Sequence, residues 1–350
     1  MIRKSVLFIT NGNQEIGYGH VARSLCIAEE FASKNYEIVF LILKDSPFRS
    51  RIHFKNVFTV DSFSIHSKAA IGNILTQLET EIAIIDLIEK EYDMLFWIRK
   101  EFPRLYIVTI TLFLFDFQKR YEHLSFFPSM ASGETGTFSG KYGSFVLCQG
   151  KSYFPFRREF KNIVRTQNKD AKKVLISMGG SDPYNLTALV LGSITLSDLS
   201  VSIILSPVAE SFQEVQAFIY NNKAYDLRLV ENTNNIAAEM CTHDILILNG
   251  GLTRYEACLA QIPFIAISIH ETQFNITQLL ADQGIGINLG IGRLLSAKEI
   301  NTAVFSLLQD YPLRRKMTAK MREILDPDGA ERIIDQIISG KSNFSDEKND

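Results

Sequence analysis

The feature that most limits what this chain can fold into is a short apolar run closed by a glycine turn and a helix start. Ser5-Val6-Leu7-Phe8-Ile9-Thr10 is rich in strand formers and has no polar alternation, as a strand covered on both faces requires. Glu15-Ile16-Gly17-Tyr18-Gly19-His20-Val21-Ala22-Arg23-Ser24-Leu25 follows, and Val21, Leu25, Ala28 and Ala32 then recur at helical spacing. The glycines admit positive φ and let another molecule approach the backbone. The helix start offers free N–H groups and a positive dipole end to an anion. His20 stands at that start, where the dipole disfavours the imidazolium and favours a neutral ring able to act as general base. Arg23 is one turn further on the same face, placed to meet a carboxylate or phosphate. A plain tight turn with an ordinary first-turn histidine would read the same way, so the rest of the chain has to decide.

The strand–helix alternation continues. Residues 36–43, 57–60, 82–85 and 105–111 read as strands, with helices around 74–78 and 92–102 between them. Asp86 falls at the end of the third of these strands, where it could hold a sugar hydroxyl or cap the next helix. Residues 128–141 read as a loop and 147–160 as the approach to a linker. The alternation then restarts, with strands at 173–178, 201–205, 226–230, 245–248 and 263–269 and helices at 253–260, 297–308, 313–325 and 330–338. Parallel sheets of this kind bind ligands beyond the carboxyl ends of their strands. The doubled pattern therefore predicts an α/β protein of two Rossmann-like domains facing a central cleft.

Two more glycine turns sit at strand ends in the second half. Gly179-Gly180-Ser181 can point backbone N–H groups at an oxyanion, with the Ser181 hydroxyl added. Asp182-Pro183 reads as an N-cap with proline at the first helical position. Asn249-Gly250-Gly251-Leu252-Thr253-Arg254-Tyr255-Glu256 opens another helix to a pyrophosphate, with Thr253 a donor and Glu256 one turn in, able to accept two ribose hydroxyls. Thr253 and Glu256 also have the spacing of a capping box, and the spacing does not choose between the two. His53, His66, His123 and His243 lie in ordinary contexts, and His270-Glu271-Thr272-Gln273 belongs to a rim after a buried strand.

Composition excludes several classes. With 350 residues, a net charge of −2 and Lys and Arg spread along the chain, nothing favours a nucleic acid or other polyanion. The four cysteines form no C-x-x-C pair, which suits reduced thiols in a cytoplasmic protein. The N-terminus lacks signal-peptide features, and the longest apolar run, residues 105–117, is broken by Thr109, Thr111 and Asp116. A soluble, cytoplasmic protein without a transmembrane segment is expected. No metal-ligand spacing and no G-x-S-x-G elbow is present.

Taken together, the motifs resemble the UDP-sugar hydrolase family of pseudaminic-acid biosynthesis, the PseG/SpsG-like proteins, which share a GT-B architecture with MurG-type glycosyltransferases. The resemblance is carried by Ile16-Gly17-Tyr18-Gly19-His20-Val21-Ala22-Arg23, by Ser177-Met178-Gly179-Gly180-Ser181-Asp182-Pro183-Tyr184-Asn185-Leu186-Thr187, and by residues 249–256. Gly150 with Tyr153, Arg157 with Glu159-Phe160, Glu271-Thr272-Gln273 and Asp328-Gly329-Ala330-Glu331-Arg332 add weaker matches, in family order along residues 1–335.

The resemblance implies metal- and cofactor-independent attack of water at the anomeric carbon of a UDP-linked deoxy-(di)acetamido sugar, in surface nonulosonic-acid or polysaccharide biosynthesis. His20 would be the base. Gly179, Gly180, Ser181, Gly250, Gly251, Leu252, Thr253 and Glu256 would hold the nucleotide, and Asn11, Gly17, Tyr18, Gly19, Arg23, Asp86, Tyr153, Glu271 and Gln273 the rest of the substrate. A monomer is expected, with domains at 1–155 and 165–325, a helix at 326–340 returning to the first domain, and a disordered tail at 341–350.

Three positions depart from the family. Ile9-Thr10-Asn11 replaces an Arg-x-Asp, Ile110-Thr111-Leu112 replaces an Ile-Asp-Asp, and Leu252 replaces the serine of Gly-Gly-Ser-Thr. The first two remove carboxylates on the sugar side, among them a partner for His20. A GT-B glycosyltransferase, using the hydroxyl of an acceptor in place of water, is the alternative. Phe113, Phe115, Phe117, Phe126 and Phe127 could then serve a lipid acceptor or simply be core. A binding protein without catalysis is a third reading, against which the presence of His20 argues.

Overall fold

The computed structural model describes residues 4–13, 17–87, 92–110, 120–128, 138–142, 145–182, 184–231, 233, 235–325 and 327–346. The chain divides into two compact units, residues 1–156 with 328–350, and residues 157–327.

The first unit contains β1 Ser5–Thr10, α1 Gly19–Ser33, β2 Glu37–Leu43, β3 Asn56–Val60, α2 Lys68–Leu78, β4 Ile82–Asp86, α3 Tyr92–Glu101, β5 Tyr106–Ile110, β6 Leu124–Phe127, β7 Phe138–Tyr142 and β8 Phe145–Gln149. Its sheet has the order β3-β2-β1-β4-β5-β6-β8-β7, parallel except for the antiparallel β7–β8 pair. Successive residues of β1 enter opposite layers, as the two-residue period of a strand dictates. Val6 and Phe8 join Val21, Leu25 and Ala28 of α1, while Leu7 and Ile9 join Ile71, Ile74 and Leu75 of α2 and Met94 and Ile98 of α3.

The second unit contains β9 Lys173–Ser177, α4 Leu186–Ser193, β10 Ser200–Ile204, α5 Phe212–Asn221, β11 Asp226–Val230, α6 Ile236–Cys241, β12 Ile245–Asn249, α7 Thr253–Leu259, β13 Phe264–Ser268, α8 Glu271–Asp282, β14 Ile287–Ile291, α9 Ala297–Gln309 and α10 Tyr311–Ile324. Its six strands are all parallel, in the order β11-β10-β9-β12-β13-β14. The last helix, α11 Gly329–Asp346, belongs to the first unit, where Ile333, Ile334 and Ile337 complete the layer over α1.

Several expectations need correction. The stretch 147–160 is not a linker approach: it holds most of β8 and buries Tyr153, Phe154, Phe156 and Phe160. Residues 138–142, inside or beside the expected loop, pair with β8. Residues 129–137 lie outside the described ones, as do Thr111, Leu112, Phe113, Phe115 and Phe117. Phe126 and Phe127 are buried in β6, so they are core. Short strands followed by 3-10 turns bury their aromatics at irregular intervals, which leaves no period to read.

Helix α4 begins at Leu186, later than Asp182-Pro183 suggested; Pro183 lies outside the described residues. The tail expected to be disordered is helical as far as Asp346. The reason is Phe344, whose ring packs 5.6 Å from Tyr106 and 4.2 Å from His123 between centroids. Among the described residues no helix is long and apolar enough to cross a membrane.

Candidate functional site

In the first sheet the chain steps outward from β1 to β2 and β3, then returns to the other side of β1 as β4. That reversal is a topological switch point, where open parallel sheets form their ligand crevices. Thr10 and Asp86 end the two central strands and are register partners. Both side chains point toward α1, on the same side as Phe8 and Ile84.

Three residues meet there. The Asp86 carboxylate, fully buried, has Oδ1 2.7 Å from His20 Nδ1 and 2.8 Å from Arg23 Nη2, and Oδ2 3.0 Å from Arg23 Nε. Burial raises the Asp86 pKa, but the adjacent Arg23 and His20 outweigh it and hold the carboxyl below its ordinary value. Arg23 Nη2 also lies 2.9 Å from Nδ1. An ionised carboxylate can only accept, so the tautomer that satisfies the Asp86 contact carries its proton on Nδ1 and leaves Nε2 with the lone pair, whereas the Arg23 contact is satisfied by a lone pair on Nδ1.

This corrects two assignments. Asp86 is fully buried, and among the described residues the side-chain partners of its two oxygens are His20 and Arg23, not a helix N-terminus. Arg23, 2 % exposed, meets the protein's own carboxylate rather than that of a ligand. The carboxylate partner for His20 that Asn11 fails to supply comes from Asp86 instead.

The glycine loop around His20 has distinct parts. Gly17 has a φ of 72° and closes a tight turn through its N–H to Asn13 O at 2.9 Å, so a backbone conformation demands glycine there. Tyr18 packs its ring on Phe48 at 5.2 Å. At Gly19 an added Cβ would meet, among the described residues, only Arg23 Nη1, at 3.9 Å, so those residues leave space at that point. Asn11 is buried, and among the described residues its Oδ1, Thr10 Oγ1 and Ser24 Oγ have no hydrogen-bond partner. Tyr153, expected beside the substrate, lies in the core with its ring 5.4 Å from Phe126, and burial raises its pKa.

The second unit repeats the topology. The chain steps from β9 to β10 and β11, then returns beside β9 as β12, pairing Ser177 with Leu248. The two glycine turns, far apart in sequence, therefore leave neighbouring strand ends. Asn249 bridges them: Nδ2 donates to Met178 O at 2.6 Å, and Oδ1 accepts the Gly251 N–H at 3.0 Å. Gly179 has a φ of 93°. Ser181 is buried, and Gly180, Gly251, Leu252 and Thr253 are half-buried.

Asp182 serves as a cap: its oxygens accept the N–H groups of Leu186 and Thr187 at 2.9 and 3.0 Å and the Ser211 hydroxyl at 2.7 Å. The capping box at Thr253 and Glu256 is not formed. Leu252 is the N-cap of α7 and makes no side-chain cap bond, because the chain turns into the helix directly from Gly251. Burial raises the pKa of Glu256, Arg157 lowers it and Glu159 raises it further. Arg157 and Glu159 were legible only as a weak motif. Gln273 lies against Gly250, its Cβ 2.8 Å from where a Gly250 Cβ would be, and its Oε1 accepts the Ile269 N–H at 3.0 Å. Glu271 and His270 are exposed, and His270 Nδ1 caps α8 by accepting the Gln273 N–H at 3.3 Å. Among the described residues no three His, Cys, Asp or Glu side chains are grouped to hold a metal ion.

No family profile matches the chain. It is 23 % identical over 332 residues to the spore coat polysaccharide biosynthesis protein SpsG of Bacillus subtilis, covering 92 % of this chain and 94 % of that protein. It is 24 % identical over 287 residues to the UDP-2,4-diacetamido-2,4,6-trideoxy-beta-L-altropyranose hydrolase of Campylobacter jejuni, covering 80 % and 97 %. The chain resembles the PseG/SpsG-like proteins over most of its length. Among solved structures, MurG of Acinetobacter baumannii superposes with a TM-score of 0.67 at 14 % identity, covering 96 % of this chain and 99 % of MurG. The fold is GT-B-like.

Proposed function

We propose that this PseG/SpsG-like protein is a UDP-sugar-processing enzyme of polysaccharide biosynthesis, and that its reaction is metal-independent hydrolysis of a UDP-linked deoxy-(di)acetamido sugar. The observation that carries the reading is the buried His20–Asp86–Arg23 cluster at the end of β1 and β4. Asp86 fixes the tautomer of His20, and Nε2 takes a proton from water as its oxygen bonds to the anomeric carbon. The bond from that carbon to the UDP oxygen breaks and its electron pair leaves with the diphosphate. The products are free sugar and UDP.

On the nucleotide side, the amides of residues 179–181, 250, 252 and 253 face the diphosphate, the Gly251 N–H being held by Asn249 Oδ1, and Glu256 accepts from the ribose. Gly19, where the fold leaves room for a side chain, admits the sugar beside His20. Asn11, buried and with its Oδ1 unpartnered among the described residues, accepts a substrate donor.

Incubating the protein with a panel of UDP-sugars and following UDP release, with and without hydroxyl acceptors, tests the reading. Hydrolysis predicts UDP release without an acceptor. Release that requires an acceptor would mean transfer, and no release from any donor would contradict an enzymatic role.

A further inference from the structure

The two glycine turns of the second unit come from strand ends about 70 positions apart, Met178 and Gly251 being joined through a single side chain, Asn249. Asn249 is buried and uses its amide at both ends, donating to the Met178 carbonyl and accepting the Gly251 N–H. The same side chain explains why residues 179 and 251 lack side chains. A Cβ on Gly179 would lie 2.8 Å from Asn249 Nδ2, and one on Gly251 would lie 2.8 Å from Asn249 Oδ1. At Gly179 the φ of 93° would also exclude a side chain. Gly251 has no positive φ, so its backbone would accept alanine, and among the described residues the three atoms nearest to such a Cβ all belong to Asn249.

We propose that Asn249 is a positioning residue that locks the two glycine turns into one surface for the diphosphate of the nucleotide. It rests on the reading that a nucleotide diphosphate lies against these turns. Asn249 itself need not touch the ligand. Its amide fixes the relative position of two backbone segments whose N–H groups would otherwise move independently, and a diphosphate spanning both segments gains most from that rigidity. A uridine moiety, which does not span them, gains little.

The test uses the full chain and compares UDP with uridine, by calorimetry and ligand-observed NMR. Asn249→Ala is expected to weaken UDP binding about 10- to 50-fold, the loss of two ordinary hydrogen bonds. Uridine binding should change less than about threefold, a difference that general loosening of the fold would not produce. Asn249→Asp keeps the acceptor for Gly251 and loses the donor to Met178, so it should show the same selective loss if the alanine variant does not fold. Gly251→Ala should lower the melting temperature by about 3–8 °C through overpacking, and in an Asn249→Ala background, where the obstruction is gone, the same change should cost much less. Variants at Asn249 that fold and bind UDP as tightly as the parent overturn the proposal, as does a Gly251→Ala loss that Asn249→Ala fails to relieve. A parent protein that binds no UDP overturns the nucleotide reading itself, which is a distinct result.

Discussion

The ends of β1 and β4 and the ends of β9 and β12 occupy the same place in two similar sheets, yet they are built from opposite materials. In the first unit the switch point is filled by three ionisable side chains locked to one another, with Asp86 at the centre and Arg23 behind it. In the second it is filled by backbone, with glycines at 179, 180, 250 and 251 and one neutral amide, Asn249, between them. A cluster of charges can move a proton but holds its shape only while every member is present. A surface of N–H groups holds an anion through position alone, and no titratable side chain takes part in the Asn249 bridge itself. The difference teaches which unit should respond to charge and which to shape.

The sharpest way to break the comparison is to remove the central charge. Asp86→Ala leaves the buried Arg23 uncompensated and should cost about 3–5 kcal/mol, read by urea unfolding. Replacing both partners by apolar residues should recover most of that loss. If Asp86→Ala costs no more than an ordinary surface change, the cluster is not the rigid charged unit described.

In the second unit Glu256→Ala should weaken UDP binding by about 1.5–3 kcal/mol, measured by calorimetry, through lost hydrogen bonds to the ribose. It should do so without the loss of about 1 kcal/mol that a broken capping box would bring, because Leu252 is the cap. Unchanged UDP affinity in the folded variant would rule out the ribose role.

Acidification should separate the two regions. The Asp86 pKa is lowered, so the stability its ion pair contributes is present above the ordinary aspartate pKa and is lost only as pH falls through the lower, folded value. The Glu256 pKa is raised, so the carboxylate proposed to accept from the ribose is lost at higher pH than for an ordinary glutamate. For the unliganded protein the sign is reversed at Glu256: protonation relieves a desolvated charge, and stability rises as pH falls through that raised value. A titration of UDP affinity and unfolding free energy should therefore show affinity falling first, by up to about tenfold per pH unit, while the cluster still holds.

Much of the fold was legible because β1, β4, β9 and β12 are continuous apolar runs, each ended by a polar residue or a glycine turn. Burial on both faces leaves that mark in sequence. The region of β6 to β8 was not legible, because short strands and aromatics at irregular spacing carry no period. His20 could be picked out from its place at a helix start. Its bond to Asp86, 66 positions on, could not, since it depends on two strands whose paired residues are 76 positions apart lying side by side in register. For Thr253 and Glu256 the spacing was ambiguous, and the turn at Gly251 decided against the cap. Tyr153 was misplaced because a buried aromatic and a binding aromatic look alike until the layer over it is known.

The central claim is that His20, held by Asp86, is the base. The most direct measurement is the turnover of His20→Asn on a UDP-sugar that the parent hydrolyses, with UDP affinity measured in parallel. The account predicts turnover lower by about 10²–10⁴-fold with UDP affinity unchanged, because it assigns the nucleotide to residues 179–181 and 250–256 and not to His20. Turnover equal to that of the parent would contradict it.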